Sequence, residues 1–190
     1  KNPRDYFSYT KLDTSFKYFF EGGKCITAYA DRQKFAKEIV EKTTDSEESL
    51  WRYLDDISTK YEITNEVFIE NSLHIAGNYL KKKFLSGIYN FHKIDAFSSM
   101  HEGNKRFFKD PNVIQLFDYY ASYVGSNPLV APATLNLISH LVLNLGTSMP
   151  DKGMYSIVTA MVKLAQDIGV HFYYNSPVEE ILVKGRVAIG

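Results

Sequence analysis

The pattern of apolar and polar positions sorts the chain into a β-rich opening, a long helical middle and a mixed end. Phe7 to Tyr29 reads as β: Ser15-Phe-Lys-Tyr-Phe-Phe20 alternates in part and is rich in aromatics. Glu21-Gly-Gly-Lys24 is a turn, and Cys25-Ile-Thr-Ala-Tyr29 returns as the partner strand. Gly22 and Gly23 supply the positive φ that a tight hairpin demands. Asp31 is placed as the N-cap of a helix running to Lys42, with Phe35, Ile39 and Val40 on its apolar stripe. Asp45-Ser-Glu-Glu48 opens another helix, its acids at the positive end of the dipole. Leu50, Trp51, Leu54, Ile57 and Tyr61 follow at helical spacing, and further helix is expected from Asn65 to Tyr89.

Ile94 to Tyr123 also has helical texture. Asp110-Pro111 is a helix entry, and Val113, Leu116, Phe117, Tyr120 and Tyr123 form a broad apolar face behind it. Gly125-Ser-Asn-Pro128 breaks that helix, and Thr134 to Leu145 carries the next, with Leu135, Ile138, Leu141, Val142 and Leu145. The end of the chain reads as turn (Pro150 to Met154), helix to Gly169, strand (Val170 to Tyr174), turn (Asn175 to Val178) and strand (Ile181 to Val183). That order is a piece of an α/β unit. The expected fold is therefore α+β, a small antiparallel or mixed sheet covered by several helices and followed by a terminal helix–strand unit.

Composition narrows the function. Lys+Arg and Asp+Glu balance at 22 each, so the chain lacks the basic face that neutralises phosphates, and a nucleic-acid partner is not expected. Aromatics reach 15%, with 14 Tyr and 13 Phe. They serve either as core or as the lining of a site for a large apolar ligand, with tyrosines keeping one polar end. The single cysteine, Cys25, has no internal disulfide partner, which points to a reducing, cytoplasmic compartment. Lys1-Asn-Pro-Arg4 has no apolar stretch of the signal-peptide kind, and no 18-residue apolar run follows. Lys81-Lys-Lys83 before Phe84-Leu85 is either a solvated helix face or a membrane-surface contact. Both ends read as cuts, which gives the expectation of an internal piece of a longer protein.

No self-contained catalytic site is visible, and catalytic residues stay unassigned. None of the 11 glycines forms a G-x-G, so neither a dinucleotide fingerprint nor a P-loop is present. The turn ending in Gly153 offers only a helix N-terminus, a weak anion site. No two of His74, His92, His101, His140 and His171 share a helix face at i, i+4, so no metal site is expected. Glu179-Glu180 precedes a strand-like run and reads as solvent-facing.

Three blocks nevertheless form a recognisable series. The first is Leu12-Asp13, then Phe19-Phe20-Glu-Gly-Gly-Lys24, Ala30-Asp31 and Phe35; the second is Phe107-Phe108-Lys-Asp-Pro111, Tyr123-Val-Gly125-Ser-Asn-Pro128 and Ala131-Pro-Ala133. The third is Pro150, Gly153-Met154, Leu164-Ala165, Gly169-Val170 and Val178-Glu-Glu-Ile181. In this order they resemble the phytoene desaturase-like carotenoid oxidoreductases, within the amine-oxidase superfamily of flavoenzymes. The resemblance implies a parent enzyme with non-covalent FAD that moves hydride between a long apolar polyene and the flavin. It implies residues 1–148 as a substrate-binding domain and 149–190 as a partial returning unit of an incomplete FAD-binding domain, too little to hold FAD alone. By the same resemblance Gly153, Met154 and Val178 approach the cofactor, and Phe117, Tyr120, Tyr123, Pro128 and Leu137 wall the substrate tunnel. Lys152 departs from the family pattern, standing where the first glycine of a pair is usual, and Thr14 stands where proline is common. The other readings carried are an amine-oxidase-like enzyme with a small substrate and a non-catalytic flavoprotein relative that binds a lipid or prenyl group. A peripheral location at the inner face of the membrane and self-association through exposed apolar surface complete the expectations.

Overall fold

The computed structural model describes residues 2–65, 74, 75, 77, 89, 90 and 93–190. The Lys81–Leu85 patch lies outside the described residues, as does most of the helix expected from Asn65 to Tyr89. The chain divides into two compact units, Lys11–Ser148 and Lys1–Thr10 with Met149–Gly190.

The larger unit begins with a hairpin. Strands β2 (Thr14–Phe19) and β3 (Cys25–Tyr29) pair antiparallel, with Lys17 opposite Thr27 and Phe19 opposite Cys25. Gly22 and Gly23 turn the chain at φ values of 76° and 80°, a region that side chains with a Cβ resist. β3 buries Ile26 and Ala28, and the next helix, α1 (Arg32–Lys42), packs on it. Asp31 caps α1 by accepting from the Lys34 amide at 2.8 Å. Glu38, buried on α1, accepts from the Thr27 amide at 2.8 Å and from Lys42 Nζ at 2.7 Å, which ties helix to hairpin.

Helix α2 (Glu47–Thr64) buries Leu50, Tyr53, Leu54 and Ile57. Ser46 caps it, accepting from the Ser49 amide, while Asp45 turns inward. Asp45 accepts the Lys109 and Asp110 amides at 2.8 and 3.1 Å. Asp110 accepts in return from the Thr44 amide at 3.1 Å and from Asn112 at 2.9 Å. Desolvation pushes the Asp110 carboxyl up, but these amide donors and Lys24 outweigh it and hold it below the usual carboxylate range. Two acids 65 residues apart thus fasten the start of α2 to the start of α4 (Pro111–Asp118).

The helical stretch from Ile94 to Tyr123 is broken into parts. It contains α3 (Met100–Lys105), capped by Ser99, then α4, then a 3-10 turn Tyr119–Val124 that ends at Gly125 with φ 63°. The break before α4 follows from Pro111, which has no amide donor and disfavours helix in the residue before it. The stretch expected as one helix from Thr134 to Leu145 is helical throughout but changes geometry. A 3-10 turn Ala133–Asn136 leads into α5 (Leu137–His140) and a π turn Leu141–Leu145. α3 lies so close to that turn that a Cβ on Gly103 would sit 2.9 Å from Ala133 Cβ.

The core of this unit is aromatic. The Phe117 ring lies 4.2 Å from Tyr53 and 4.7 Å from Phe108, centroid to centroid, and all three are fully buried. Tyr53 Oη donates to Ser139 Oγ at 3.0 Å, so the buried hydroxyl is satisfied. Lys60 is also buried, its Nζ 2.6 Å from Asp56 Oδ2 and 3.1 Å from Asp95 Oδ2. Arg106 Nη1 holds both Asp95 oxygens at 2.7 and 2.8 Å.

In the smaller unit a 3-10 turn Pro3–Asp5 precedes helix α6 (Tyr155–Asp167), and β5 (Val183–Lys184) pairs antiparallel with β6 (Val187–Ala188). Tyr6 Oη donates to Asp167 at 2.8 Å, and Thr10 Oγ1 donates to Asp151 Oδ1 at 2.7 Å. Strands β1 (Tyr9–Lys11) and β4 (Ser148–Pro150) pair with each other. Two expected strands are corrected here. Val170 to Tyr174 is not a strand, and the strand expected at Ile181 to Val183 is shifted: Ile181 falls outside it, Leu182 bonds to Ile189 and Gly190, and β5 runs Val183–Lys184. A strand persists only when its amides and carbonyls meet a neighbour, and among the described residues nothing pairs with 170–181. No described helix is long and apolar enough to cross a membrane.

Candidate functional site

The hairpin and α4 enclose an open groove of about 350 Å³ in the larger unit. Phe16, Tyr18, Phe19 and Phe20 line it from the hairpin, and Leu116 and Tyr119 from α4 and the turn after it, with Lys17 and Gln115 also at its surface. The hairpin places five consecutive residues there, with Phe16, Tyr18 and Phe20 packed partly against the core and Phe19 78% exposed. Tyr119 closes the opposite side, its ring edge-on to Tyr18 at 5.9 Å and to Phe16 at 6.4 Å. A groove of this kind offers mostly ring surface, suited to a flat or extended apolar molecule.

One polar device lies in this wall. Tyr18 Oη and Tyr120 Oη are 3.3 Å apart, and Tyr120 is fully buried. Burial pushes Tyr18 up to about 12, so it stays a neutral hydroxyl across the physiological range.

The residues expected to wall a substrate tunnel divide around this groove. Phe117 belongs to the core stack and does not reach the groove surface. Tyr120 stands behind Tyr18, and Tyr123, half-exposed, packs its ring at 5.8 Å on Tyr120 and 6.4 Å on Tyr119. Pro128 and Leu137, both partly buried, do not line it; the Pro128 carbonyl accepts the His101 amide at 3.1 Å. Sequence reasoning missed Phe16, Tyr18, Phe19, Phe20 and Tyr119 as lining. The signal is the run of aromatics in and just after β2, which the alternation pattern reports only as strand.

Titratable groups elsewhere are structural in geometry. His101 Nδ1 meets Asp118 Oδ2 at 2.7 Å, and Asn104 Nδ2 donates to Asp118 Oδ1 at 2.8 Å. His140 stacks on Tyr61 at 4.5 Å, and burial followed by the charge of Arg32 pushes its pKa down. Among the described residues no group of three or more His, Cys, Asp or Glu is placed to hold a metal ion.

The positions expected near a flavin lie in the smaller unit. Gly153 has φ 80°, and a Cβ there would meet nothing within 4 Å. Met154 and Val178 are 64% and 81% exposed. Lys152 lines a hollow of about 320 Å³ with Tyr6, Ser8, Tyr155 and Ser156. Gly153, Met154 and Val178 are all open to solvent in this unit, so these three residues alone do not enclose a dinucleotide.

No family model matches the chain. Comparison with curated proteins is decisive instead. The chain is 35% identical over 175 residues to a 1-hydroxycarotenoid 3,4-desaturase from Flavobacterium sp., a match covering 92% of this chain and 36% of that protein. It is homologous to the carotenoid desaturase-type oxidoreductases. A 4,4'-diapolycopene oxygenase from Methylomonas sp. is 30% identical over 181 residues, 95% of this chain and 36% of that protein. A zeta-carotene-forming phytoene desaturase from Myxococcus xanthus is 24% identical over 181 residues, 95% of this chain and 34% of its own length. The chain thus spans about a third of the length of the relatives it matches, and the matches take in nearly the whole of this chain. The amine-oxidase-like and lipid-carrier readings are not favoured by these matches. The aromatic groove and the Phe117 stack both fall within the shared length.

Proposed function

We propose that the protein carrying this chain is an FAD-dependent oxidoreductase that transfers hydride between a long apolar polyene and its flavin, and that this chain supplies the substrate wall. The observation that carries the reading is the end-to-end similarity to a 1-hydroxycarotenoid 3,4-desaturase over 92% of the chain. The aromatic groove supports it, because a conjugated polyene is flat, extended and apolar, and ring faces bury it without asking for hydrogen bonds. FAD, when bound, accepts or returns the hydride; the chain's residues bind and orient the substrate and exclude water.

In this reading residues 1–148 form the substrate domain, apart from Lys1–Thr10, which group with the smaller unit; Tyr120 and Tyr123 support the wall, and Phe117, Pro128 and Leu137 shape the body behind it. Residues 149–190 belong to a flavin domain whose remaining parts bind most of the cofactor, with Gly153, Met154 and Val178 at its edge. Such a substrate dissolves in bilayers, so the protein is proposed to work from the cytoplasm at the inner face of the membrane. Exposed apolar side chains such as Met161 and Ile168 suit self-association.

The test is a charge placed in the groove. Phe19→Asp and Tyr119→Asp, made in the full-length protein, are expected to raise the KM for the polyene about tenfold or more while flavin content stays at the wild-type level. Polyene kinetics unchanged in both variants would remove the groove from the substrate path.

A further inference from the structure

The surface that borders the groove carries no charge. Across residues 119–150 there is no Asp, Glu, Lys or Arg, although charged residues make up 23% of the chain. Part of that stretch is core, but Tyr123, Val124, Leu129 and Val130 are 51%, 50%, 61% and 76% exposed. They sit on two successive turns, Tyr119–Val124 and residues 127–130. The amides of Gly125, Ser126, Leu129, Val130 and Ala131 all donate within these turns, at 2.8 to 3.1 Å. A dry cover would therefore strand none of them. The second turn is also pinned to the start of α3, where the Met100 and His101 amides donate to the Ala131 and Pro128 carbonyls at 2.7 and 3.1 Å. The face is continuous with the groove, because Tyr119 lines the groove and the Tyr123 ring meets it edge-on at 6.4 Å.

We propose that this uncharged face, centred on Val124, Leu129 and Val130, is the seat on which the flavin-bearing part of the full-length protein, outside residues 1–190, closes over the groove. The inference rests on the groove being the polyene site. Hydride passes between atoms held about 3–3.5 Å apart, so a flavin that serves a polyene lying against Tyr119 has to come into contact with it. The protein that carries the flavin then covers the surface bordering Tyr119 and shuts water out of the groove. The amount of chain suffices: the match takes in 36% of the 1-hydroxycarotenoid 3,4-desaturase, so most of such a protein lies outside the matched part. The chemistry also suits an internal seat, since the dry centre of an interface is depleted of charged residues and keeps its backbone bonds satisfied. A bilayer or a second copy would also cover these side chains, but neither brings the protein's own flavin to the groove.

The experiment labels Val130→Cys in the purified full-length protein with a water-soluble maleimide. The peptide bearing residue 130 is followed by mass spectrometry, so that labelling of Cys25 does not interfere. Labelling is expected to run about tenfold or more slower than in the same variant unfolded in urea, at every protein concentration and without lipid. A rate close to the unfolded one overturns the proposal. So does protection that appears only at high protein concentration, which marks a second copy, or only with phosphatidylcholine vesicles, which marks a bilayer. A second readout is the temperature at which flavin is released. Leu129→Asp combined with Val130→Asp is expected to lower it by about 5 °C or more, whereas Leu129→Met, which conserves volume and apolarity, leaves it near the wild-type value. An unchanged release temperature in the double variant also overturns the proposal. Neither readout uses a polyene, so the two levels separate. Fast labelling in a protein whose flavin a polyene still bleaches removes this inference alone. Slow labelling in a protein whose flavin exchanges hydride with no polyene leaves the face covered and removes the reading of the groove.

Discussion

Phe117→Ala is expected to lower the stability of the larger unit by about 3–5 kcal/mol, the range for deleting a fully buried aromatic ring. Phe117 is fully buried, with Tyr53 at 4.2 Å and Phe108 at 4.7 Å, ring to ring. Those partners come from α2 and from the loop before α4, so the ring joins segments distant in sequence. They cannot collapse into the space left behind without moving Tyr53, whose hydroxyl is anchored on Ser139. The cost should therefore lie toward the upper part of that range, because a site that cannot relax keeps its cavity. Tyr123→Ala is the control: half-exposed and at the edge of the cluster, it should cost about 1 kcal/mol or less. Urea unfolding followed through Trp51, the chain's single tryptophan, reads both. A Phe117→Ala loss no larger than the Tyr123→Ala loss would mean that the aromatic stack does not hold the unit together.

Lys60→Ala is expected to cost about 2–4 kcal/mol, less than a wholly buried pair because Asp56 and Asp95 keep some contact with water. The ammonium is 1% exposed while its partners are 30% and 24% exposed. Removing it leaves two neighbouring carboxylates with, among the described residues, Arg106 on Asp95 to compensate. Burial pushes Asp95 up, yet the hydrogen bonds from Arg106 and Lys60 outweigh it and hold it below the usual carboxylate range. A carboxyl depressed in the folded state contributes stability above its unfolded pKa of about 4 and loses it as pH falls through the lower folded value. The wild type should therefore lose stability in acid, and the Lys60→Ala deficit should shrink below about pH 4, where protonation removes the stranded charges. Lys60→Met, which restores the apolar stem but not the charge, should recover only part of the loss. Thermal melts of the three proteins at neutral and acid pH supply the test; a deficit independent of pH would show that the lost stem packing, not the ion pair, is what matters.

The local features of the fold were legible because local rules decide them. Asp31 caps α1, Asp110-Pro111 opens α4, and Gly22, Gly23 and Gly125 turn the chain with positive φ, each as the neighbouring residues dictate. Asp45 shows the limit. It has the chemistry of a cap, but Ser46 takes that place, and Asp45 serves two amides that lie 64 and 65 residues away. The strand read at Val170 to Tyr174 failed for a related reason: β propensity is a statement about a pleated neighbour, and among the described residues none pairs with 170–174, whereas Leu182 and Val183 find partners in Ile189, Gly190 and Ala188. The groove was the least visible feature. It joins residues 16–20 to residues 115–119, and periodicity ranks buried positions such as Phe117 above exposed ones such as Phe19, although the exposed ones line the site. The resemblance in three ordered blocks pointed to the kind of relatives the comparison finds, without locating the aromatic groove.

The central claim is that this aromatic wall serves a flavin-dependent polyene oxidoreductase. The most direct measurement is anaerobic mixing of the purified full-length protein with an acyclic polyene while the flavin absorption band near about 450 nm is followed. The account predicts that the band bleaches as the polyene gains a double bond, and that Phe19→Asp slows the bleaching. A protein whose oxidised flavin takes no hydride from any polyene, and whose reduced flavin gives none to a polyene, would contradict it.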